Sequence, residues 1–430
     1  MPNFSIALSG LSADTQALNT IANNLSNMSS VAYKSKTASF SDMFYQNIGS
    51  NGSGDLLQVG AGTKISTTST NYTQGSSDTT SKSNSDMEIS GDGFFVVSDG
   101  SQNYLTRNGQ FTENTSGTLQ TANNDTLMGY AATNGVVSAT TLSAITLPTK
   151  GAIMSPSVST EFTIQANLNS ADATGTAATS SVNLYDSLGT EHQATVTYTK
   201  SATANTWNYS IALPASDFAS GTSTPVTGTL TFDSTGKLST LTTLTPTAGT
   251  ATTVGTATGD VSTVAVGFSG LADGANNLST NWNLLSSSGG QIITQVASGD
   301  KTTSAIADGY AAGTYSSFTV ASDGSVNASY SNGKTVLVGK VALADVANQE
   351  GLDSLGSSLY KTTTASGDAN VGTAGSGSLG TITDAALEQS NVDISTEFSQ
   401  LIIAQRAFEA NSKSITTFDT VTQETINIIH

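Results

Sequence analysis

The chain has 430 residues, a formal net charge of −18 and no cysteine, and only 11% of its residues are charged. The acidic balance argues against nucleic acid and anionic membrane surfaces as partners, and the missing cysteines exclude disulfides, thiolate zinc sites and cysteine nucleophiles. Charged residues usually make up about a quarter of a chain. The polar surface must therefore come from Ser, Thr, Asn, Gln and Gly, which is typical of extracellular β-rich proteins.

The N-terminal segment predicts a narrow amphipathic helix. Phe4, Leu11, Leu18 and Leu25 follow one another at seven-residue intervals, and Ala7, Ile21 and Met28 extend the same stripe. Such a repeat holds one side of a helix against a partner. The segment has no basic region followed by an apolar core, so we expect no Sec-type signal peptide, and no stretch of the chain is apolar enough to predict a membrane span.

Residues 29–85 predict an extended linker arm. The segment is rich in Gly, Ser and Thr, with thinly spaced apolar residues, and we expect it to lie on another surface with Phe40, Met43 and Phe44 as anchors. A flexible linker is the alternative interpretation of the same composition.

The middle of the chain predicts β structure in two nested domains. Short apolar runs such as Phe94–Val97 alternate with Asp-Gly and Asn-Gly turns. Residues 86–148 with 303–387 predict an inner β domain that ends in a Gly- and Ser-rich hinge over 367–380. Residues 149–302 predict an outer inserted β domain, with half-buried strands such as the one around Trp207, and a loop-rich exposed edge over 246–266.

The C-terminal segment predicts a second and longer helix, with 388–430 and 1–28 forming one helical domain. Ile394, Leu401, Phe408, Ile415, Thr422 and Ile429 fall seven residues apart, and four apolar residues widen the stripe: Phe398, Ala404, Phe418 and Ile426. Asn391 and Asp393 suit the start of such a helix. The fold class is therefore mixed and mainly β, with terminal helices that pair as a coiled-coil-like inner layer. Docking of each end on a globular core is the alternative.

Sites for catalysis, cofactors or metals are not indicated by the sequence. The chain has two histidines, His192 and His430, and no H-x-x-x-H or H-E-x-x-H spacing that would indicate zinc. No G-x-S-x-G elbow and no phosphate-binding loop is present. We therefore expect a non-enzymatic structural protein without cofactors.

Segments at both ends resemble a known family. Ile21–Asn27, Tyr33-Lys34 and Ala38–Phe44, together with Leu387–Asp393 and Leu401–Asn411, resemble the terminal signatures of the bacterial flagellar rod and hook axial proteins. Val182–Gly189, Leu230–Asp233 and Asp308–Gly313 resemble the hook members in particular. The resemblance implies a self-assembling, curved tube outside the cell that transmits motor torque to the filament as a flexible joint. It also implies type III export without a cleaved signal peptide, and the rod, hook-cap, hook–filament junction and export-apparatus proteins as partners.

Twelve residues are predicted to pack between subunits of such an assembly, and they are Phe4, Leu11, Leu18, Ile21, Leu25, Met28, Ile394, Leu401, Phe408, Ile415, Phe418 and Ile429. Two other functions remain open at this point. A distal rod protein would be straight and stiff, and it would lack so large an insertion. A secreted adhesin or carbohydrate-binding protein could use Trp207 and Trp282 as sugar platforms, although the spacing around Trp207 favours a core position.

Overall fold

A computed structural model describes residues 4–50, 56–81, 83–133, 135–138, 141–244, 251–256, 263–286 and 290–428, with side chains at all of these except 46–50, 56–59, 240–244 and 251–256. The chain is mainly β and has a long α-helix near each end, as predicted. Helix α1 is Phe4–Ser26 and helix α2 is Ile394–Ile428, and two 3-10 turns are Ala215–Asp217 and Gln349–Gly351. No helix in the described ranges is long and apolar enough to cross a membrane.

The chain divides into two compact units. The first unit contains Met1–Lys150, Ser316–Ser329 and Thr335–His430, and the second contains Gly151–Tyr315 and Tyr330–Lys334. Each unit has its own hydrophobic core of buried side chains.

The segment after α1 is more regular than its composition predicts. It contains the strands Lys36–Asp42, Tyr45–Ser50, Leu56–Gly60, Thr63–Thr70 and Ser77–Asp78. Lys36–Asp42 pairs antiparallel with Thr63–Thr70, and Tyr45–Ser50 pairs with Leu56–Gly60. Strand pairing satisfies the backbone polar groups of this sequence, and its threonines favour the extended conformation.

The main sheet of the first unit is built around the run Phe94–Val97. Phe95 and Val97 enter one core cluster while Phe94 and Val96 enter another, because alternate side chains of a strand point to opposite faces. A strand buried on both faces is apolar throughout. The strands that follow the arm are Met87–Ser90, Phe94–Ser98, Asn103–Thr106, Thr112–Glu113, Leu119–Gln120, Thr126–Thr133, Val136–Val137, Ser143–Ala144, Ser325–Tyr330, Thr335–Asp345, Asp353–Gly356, Leu359–Lys361, Asn370–Thr373, Thr381–Asp384 and Leu387–Glu388.

The second unit contains two sheets whose inward side chains form one core. Six strands pair in sequence order as an antiparallel sheet: Ala177–Tyr185, Glu191–Lys200, Thr206–Ala212, Val226–Phe232, Leu238–Leu244 and Ala251–Thr256. Five more form a mixed sheet: Glu161–Asn169, Thr263–Phe268, Leu278–Asn283, Ile293–Val296 and Lys301–Ala307. Trp207 and Trp282 are fully buried in the shared core. Two further strands, Ile153–Met154 and Gly313–Val320, pair at residues 153–154 and 313–314.

Two local predictions are wrong. Residues 246–250 and 257–262 of the supposed loop-rich edge over 246–266 lie outside the described residues. The rest of it forms the strand Ala251–Thr256 and the start of the strand Thr263–Phe268, where Val264 and Val266 are buried. The supposed hinge over 367–380 includes the strand Asn370–Thr373, which pairs with Thr335–Asp345. Both segments are poor in large apolar residues. Their composition therefore concealed the short strands that they contain.

Candidate assembly surface on the terminal helices

Local sequence explains where α2 begins. The side chain of Asp393 accepts a hydrogen bond from the Thr396 backbone N–H at 2.8 Å, which caps one of the free donors of the first turn. The same bond lowers the pKa of the Asp393 carboxyl. Glu397 lies in the first turn, where a negative charge suits the helix dipole. The predicted start at Asn391 and Asp393 is therefore close to the observed one.

The two helices pair as predicted, but through small residues. The buried residues of α1 are Ala7, Gly10, Ala13, Ala17, Ile21 and Asn24, and those of α2 are Glu397 and Ala404. A Cβ at Gly10 would lie 2.7 Å from the Asn411 side-chain nitrogen, so glycine permits close approach there. Asn411 in turn donates to the Asp14 carboxylate at 2.8 Å. We call the whole contact between the two helices, formed by these buried residues with Asp14 and Asn411, the helix seam.

A buried polar group closes the end of the seam. The Asn24 amide donates to Glu397 Oε1 at 2.9 Å and to the Lys36 carbonyl at 2.8 Å, and its oxygen accepts from the Lys36 N–H at 2.9 Å. Burial raises the pKa of Glu397, while the bond from Asn24 opposes this rise and the nearby Asp393 carboxylate adds to it. Asn24 therefore fixes α1, α2 and the start of the arm at one point.

A second buried cluster joins the arm to the segment before α2. Lys34 donates to Glu388 Oε1, and Arg107 Nη1 lies 3.4 Å from Glu388 Oε2. Lys34 also donates to the Thr73 carbonyl at 2.8 Å. Burial lowers the pKa values of Lys34 and Arg107, against the opposing pull of the Glu388 carboxylate. Because these charges are removed from water, each depends on its partners.

The apolar side chains outside the seam remain accessible in the single chain. Large exposed residues on the two helices are Phe4, Leu8, Ile394, Phe398, Ile402, Ile403, Val421, Ile426 and Ile428. Of the 35 residues of α2 only two are buried, so the chain itself covers little of this helix. We call these nine residues the open helix face.

The predicted packing residues are not all equivalent. Phe4, Met28 and Ile394 are exposed, and Ile21 is buried in the seam. Leu11, Leu18, Leu25, Leu401, Phe408, Ile415 and Phe418 are partly buried, and Ile429 lies outside the described residues. The seven-residue series that begins at Phe4 is therefore displaced from the seam.

The predicted arm anchors are accessible as well. Phe40 is 51% exposed, Phe44 is 75% exposed and Met43 is partly buried. Phe40 and Ile403 line an apolar groove of about 260 Å³ beside Ile21 and Ala404. The groove continues the open helix face onto the first strand of the arm.

The sequence reasoning missed the polar residues that hold this region together. Asn24, Lys34, Arg107 and Glu388 are all buried. Asn24, Lys34 and Glu388 lie inside the motifs that carry the family resemblance, which is the signal that could have found them. The adhesin hypothesis loses its support here, because Trp207 and Trp282 are both fully buried and cannot act as sugar platforms.

Family models match four parts of the chain. They are described as flagella basal body rod protein over residues 4–34, flagellar hook protein FlgE/F/G D1 domain over 88–167, flagellar basal body protein FlaE D2 domain over 156–310, and flagellar basal body rod FlgEFG protein C-terminal over 383–428. Together they extend over most of the sequence.

Similar proteins extend over nearly the whole chain. The flagellar hook protein FlgE of Salmonella typhimurium is 33% identical over 99% of this chain and 100% of its own length, and that of Escherichia coli is 32% identical over 99% of both. The crystal structure of Helicobacter pylori flagellar hook protein FlgE2 is similar in fold, with a TM-score of 0.51 and 14% identity over 70% of this chain and 98% of that one. The chain therefore belongs to the flagellar hook protein family.

Proposed function

We propose that the open helix face is the surface through which this hook subunit polymerises with copies of itself into a curved helical tube that transmits torque as a flexible joint. The observation that carries the proposal is the pairing of α1 and α2 through small and polar residues, which leaves large apolar residues accessible on both helices. Phe40 and Ile403 line the apolar groove together, and exposed apolar patches of this kind mark protein interfaces.

The arrangement suits repeated contacts between identical chains. A contact between two different surfaces of identical subunits that does not close into a ring produces a helical assembly. In this proposal the contact consists of the open helix face and of the predicted packing residues beside it. Phe4, Leu11, Leu18, Leu25 and Met28 of one copy pack against α2 of a neighbour, and Phe40, Met43 and Phe44 extend the contact along the arm. The neighbour contributes Ile394, Leu401, Phe408, Ile415, Phe418 and Ile429.

The remaining parts of the proposal follow the sequence-based domain division. Residues 1–28 with 388–430 form the inner helical layer, 29–85 the arm, 86–148 with 303–387 an inner β domain and 149–302 an outer one. The subunit is exported without a cleaved signal peptide, contacts rod, hook-cap and junction proteins, and catalyses no reaction.

The test compares two charged substitutions on α2. Ile403→Glu places a carboxylate in the apolar groove, whereas Gln405→Glu adds the same charge at a position that is already polar and exposed. Ile403 is 68% exposed, so we expect both variants to fold with the circular dichroism of the parent. Electron microscopy at high concentration should show tubes for the parent and for Gln405→Glu, and none for Ile403→Glu.

Tubes of normal yield from Ile403→Glu would contradict the proposed surface. The shape of the parent tubes tests the rest of the proposal, because curved tubes agree with a hook and straight ones with a distal rod.

A further inference from the structure

The second unit contains a histidine surrounded by carboxylates that the assembly proposal does not use. His192 is the second residue of the strand Glu191–Lys200, Asp186 lies in the turn before it, and Asp217 ends the 3-10 turn Ala215–Asp217. Asp273 lies between the strands Thr263–Phe268 and Leu278–Asn283 of the other sheet. We call these four residues the His192 cluster.

The two ring nitrogens of His192 have separate surroundings. Nδ1 lies 2.9 Å from Asp217 Oδ2, and Nε2 lies 3.2 Å from Asp186 Oδ2 and 3.9 Å from Asp273 Oδ2. With the proton on Nδ1, donated to Asp217, the lone pair of Nε2 points at the other two carboxylates. A histidine oriented by a carboxylate behind it is the usual arrangement in metal sites.

Backbone N–H groups bind the other carboxylate oxygens of Asp186 and Asp273. Asp186 Oδ1 accepts from the N–H groups of Leu188 and Thr190 at 2.8 and 2.9 Å, and Asp273 Oδ1 accepts from the Ala275 N–H at 3.0 Å. These turns hold each side chain in place and leave each Oδ2 directed toward His192. The site is therefore formed by residues whose positions the backbone already fixes.

The negative charge of the cluster exceeds what its histidine can neutralise. Three carboxylates face one imidazole, and the side chains of Asp186 and His192 are 0% and 5% exposed. Within the part of the chain that the structure describes, no lysine or arginine forms an ion pair with these aspartates. The side chains of Asp217 and Asp273 are 20% and 25% exposed, so the cluster opens to solvent on their side. A buried charge such as that of Asp186 needs a counter-charge, which a bound cation would add.

We propose that Asp186, His192 and Asp273 bind a divalent transition-metal ion of the Zn²⁺ or Mn²⁺ class, with Asp217 as the residue that orients the histidine. The three ligand atoms lie within 4.8 Å of one another. With two of the three separations at 3.2 and 3.9 Å, a point equidistant from all three atoms lies about 2.0–2.4 Å from each, which overlaps the metal–ligand distances of about 2.0–2.2 Å that nitrogen and carboxylate ligands adopt with zinc. One nitrogen and two carboxylate oxygens favour Zn²⁺ or Mn²⁺ over Ca²⁺, which prefers oxygen alone.

The bound ion stabilises the second unit by joining its two sheets. Asp186 and His192 belong to the six-stranded sheet, and Asp273 belongs to a connection of the five-stranded sheet. The backbone already brings these segments together, since the Ala272 N–H donates to the Asp217 carbonyl at 2.9 Å. An ion that binds only the folded state raises the unfolding temperature with its concentration. This proposal departs from the sequence-based expectation of no metal, which considered only spacing along the chain.

The test measures ion binding to the full-length chain at concentrations where it is monomeric, so it does not depend on tube formation. After treatment with a chelator, the protein is titrated with ZnCl₂ or MnCl₂ by calorimetry and its unfolding temperature is followed. We expect one site per chain and a higher unfolding temperature. Asp273→Asn should weaken binding at least about 10-fold, and Asp217→Asn about 10–100-fold.

The control variant is Asp233→Asn. The Asp233 carboxylate also caps a turn in the second unit, accepting from the Thr235 N–H at 2.8 Å, but it has no contact with His192. Asp233→Asn should bind the ions as the parent does. Because all of the variants retain His430, a difference in affinity between them cannot come from binding by that histidine. Absence of a stoichiometric site in the parent, or equal affinities for Asp273→Asn and Asp233→Asn, would overturn the proposal.

Discussion

The second unit and the terminal helices differ in how much of their apolar surface the single chain buries. In the second unit, alternate side chains of two sheets fill one core that includes two fully buried tryptophans, so a single chain covers what it needs to cover. Along α2 only Glu397 and Ala404 are buried, although the helix has 35 residues. One region is complete within the chain, and in our proposal neighbouring copies complete the other.

If the proposed surface is correct, the contrast explains how one sequence encodes both a stable domain and an assembly surface. Strands with period-two alternation bury half of their side chains in their own unit. The helices instead use mainly alanine, glycine and asparagine for their mutual contact and leave most of their Phe, Leu and Ile side chains partly or fully accessible. Substitutions in the first region should therefore change the stability of the monomer, and those on the open helix face should change assembly.

The largest effect is expected from Trp282→Ala. Trp282 stacks on Phe162 at 6.2 Å and meets Tyr209 edge-on at 5.4 Å, so its removal leaves a large cavity. We expect a loss of about 3–5 kcal/mol in the unfolding free energy of the second unit. Denaturation followed by Trp207 fluorescence measures it, and the helical signal at 222 nm should keep its own midpoint.

Trp282→Phe is the control for this substitution. Trp282 Nε1 has no hydrogen-bond partner among the described residues, so a phenyl ring removes volume but no hydrogen bond and should cost much less. If the fluorescence and helical transitions moved together in Trp282→Ala, the two regions would not be independent, and the contrast drawn above would fail.

The next largest effect is expected from Glu388→Gln. The neutral amide leaves the charges of Lys34 and Arg107 buried without a counterion, which should cost about 3 kcal/mol of the unfolding free energy of the first unit. Chemical denaturation followed by circular dichroism measures it. Glu424→Gln removes the same charge from an exposed position on α2 and should leave the midpoint unchanged. Equal midpoints for the two variants would show that the buried cluster does not stabilise the fold.

The sequence predicted the elements of this molecule better than their contacts. Seven-residue repeats predicted both helices and their pairing, since that pattern requires only that apolar residues share one face. They could not predict the helix seam, because Gly10 and Asn411 lie at almost opposite ends of the chain and close approach depends on their three-dimensional register. Asn24 and Glu388 were missed because periodicity arguments count apolar residues, whereas a buried polar residue is explained only by its partners.

A smaller effect is expected from the pH dependence of the second unit in the presence of a chelator. Burial alone would lower the pKa of His192, but hydrogen bonds to Asp217 and Asp186 outweigh it and raise the pKa above 6.5. The pKa of Asp186 is about 2, so that carboxylate stays charged in this range. Because the folded state binds the His192 proton more tightly than the unfolded state does, protonation of His192 stabilises the fold. This stabilisation is complete below pH 6.5 and is lost as the pH rises through the folded-state pKa of His192.

The measurement is the unfolding midpoint of the second unit from pH 6 to pH 9, followed by tryptophan fluorescence. We expect the midpoint of the parent to decrease across this range and that of His192→Gln to change less. The parent and His192→Gln both retain the carboxylates of Asp186, Asp217 and Asp273 around residue 192. The difference between their slopes of unfolding midpoint against pH therefore reports the imidazole alone. Parallel slopes would contradict a stabilising histidinium.

The smallest effect is expected at the helix seam, from Asn411→Ala. The substitution removes the 2.8 Å hydrogen bond to Asp14, so we expect a loss of about 0.5–1.5 kcal/mol. Hydrogen exchange of the monomer measures it as faster exchange along α1 and α2, with no change in the second unit. Gln405→Ala, at an exposed position of the same helix, should leave the exchange rates as they are. Faster exchange in Asn411→Ala alone shows that the seam orders the two helices before any neighbour binds, whereas unchanged rates show that assembly itself orders them.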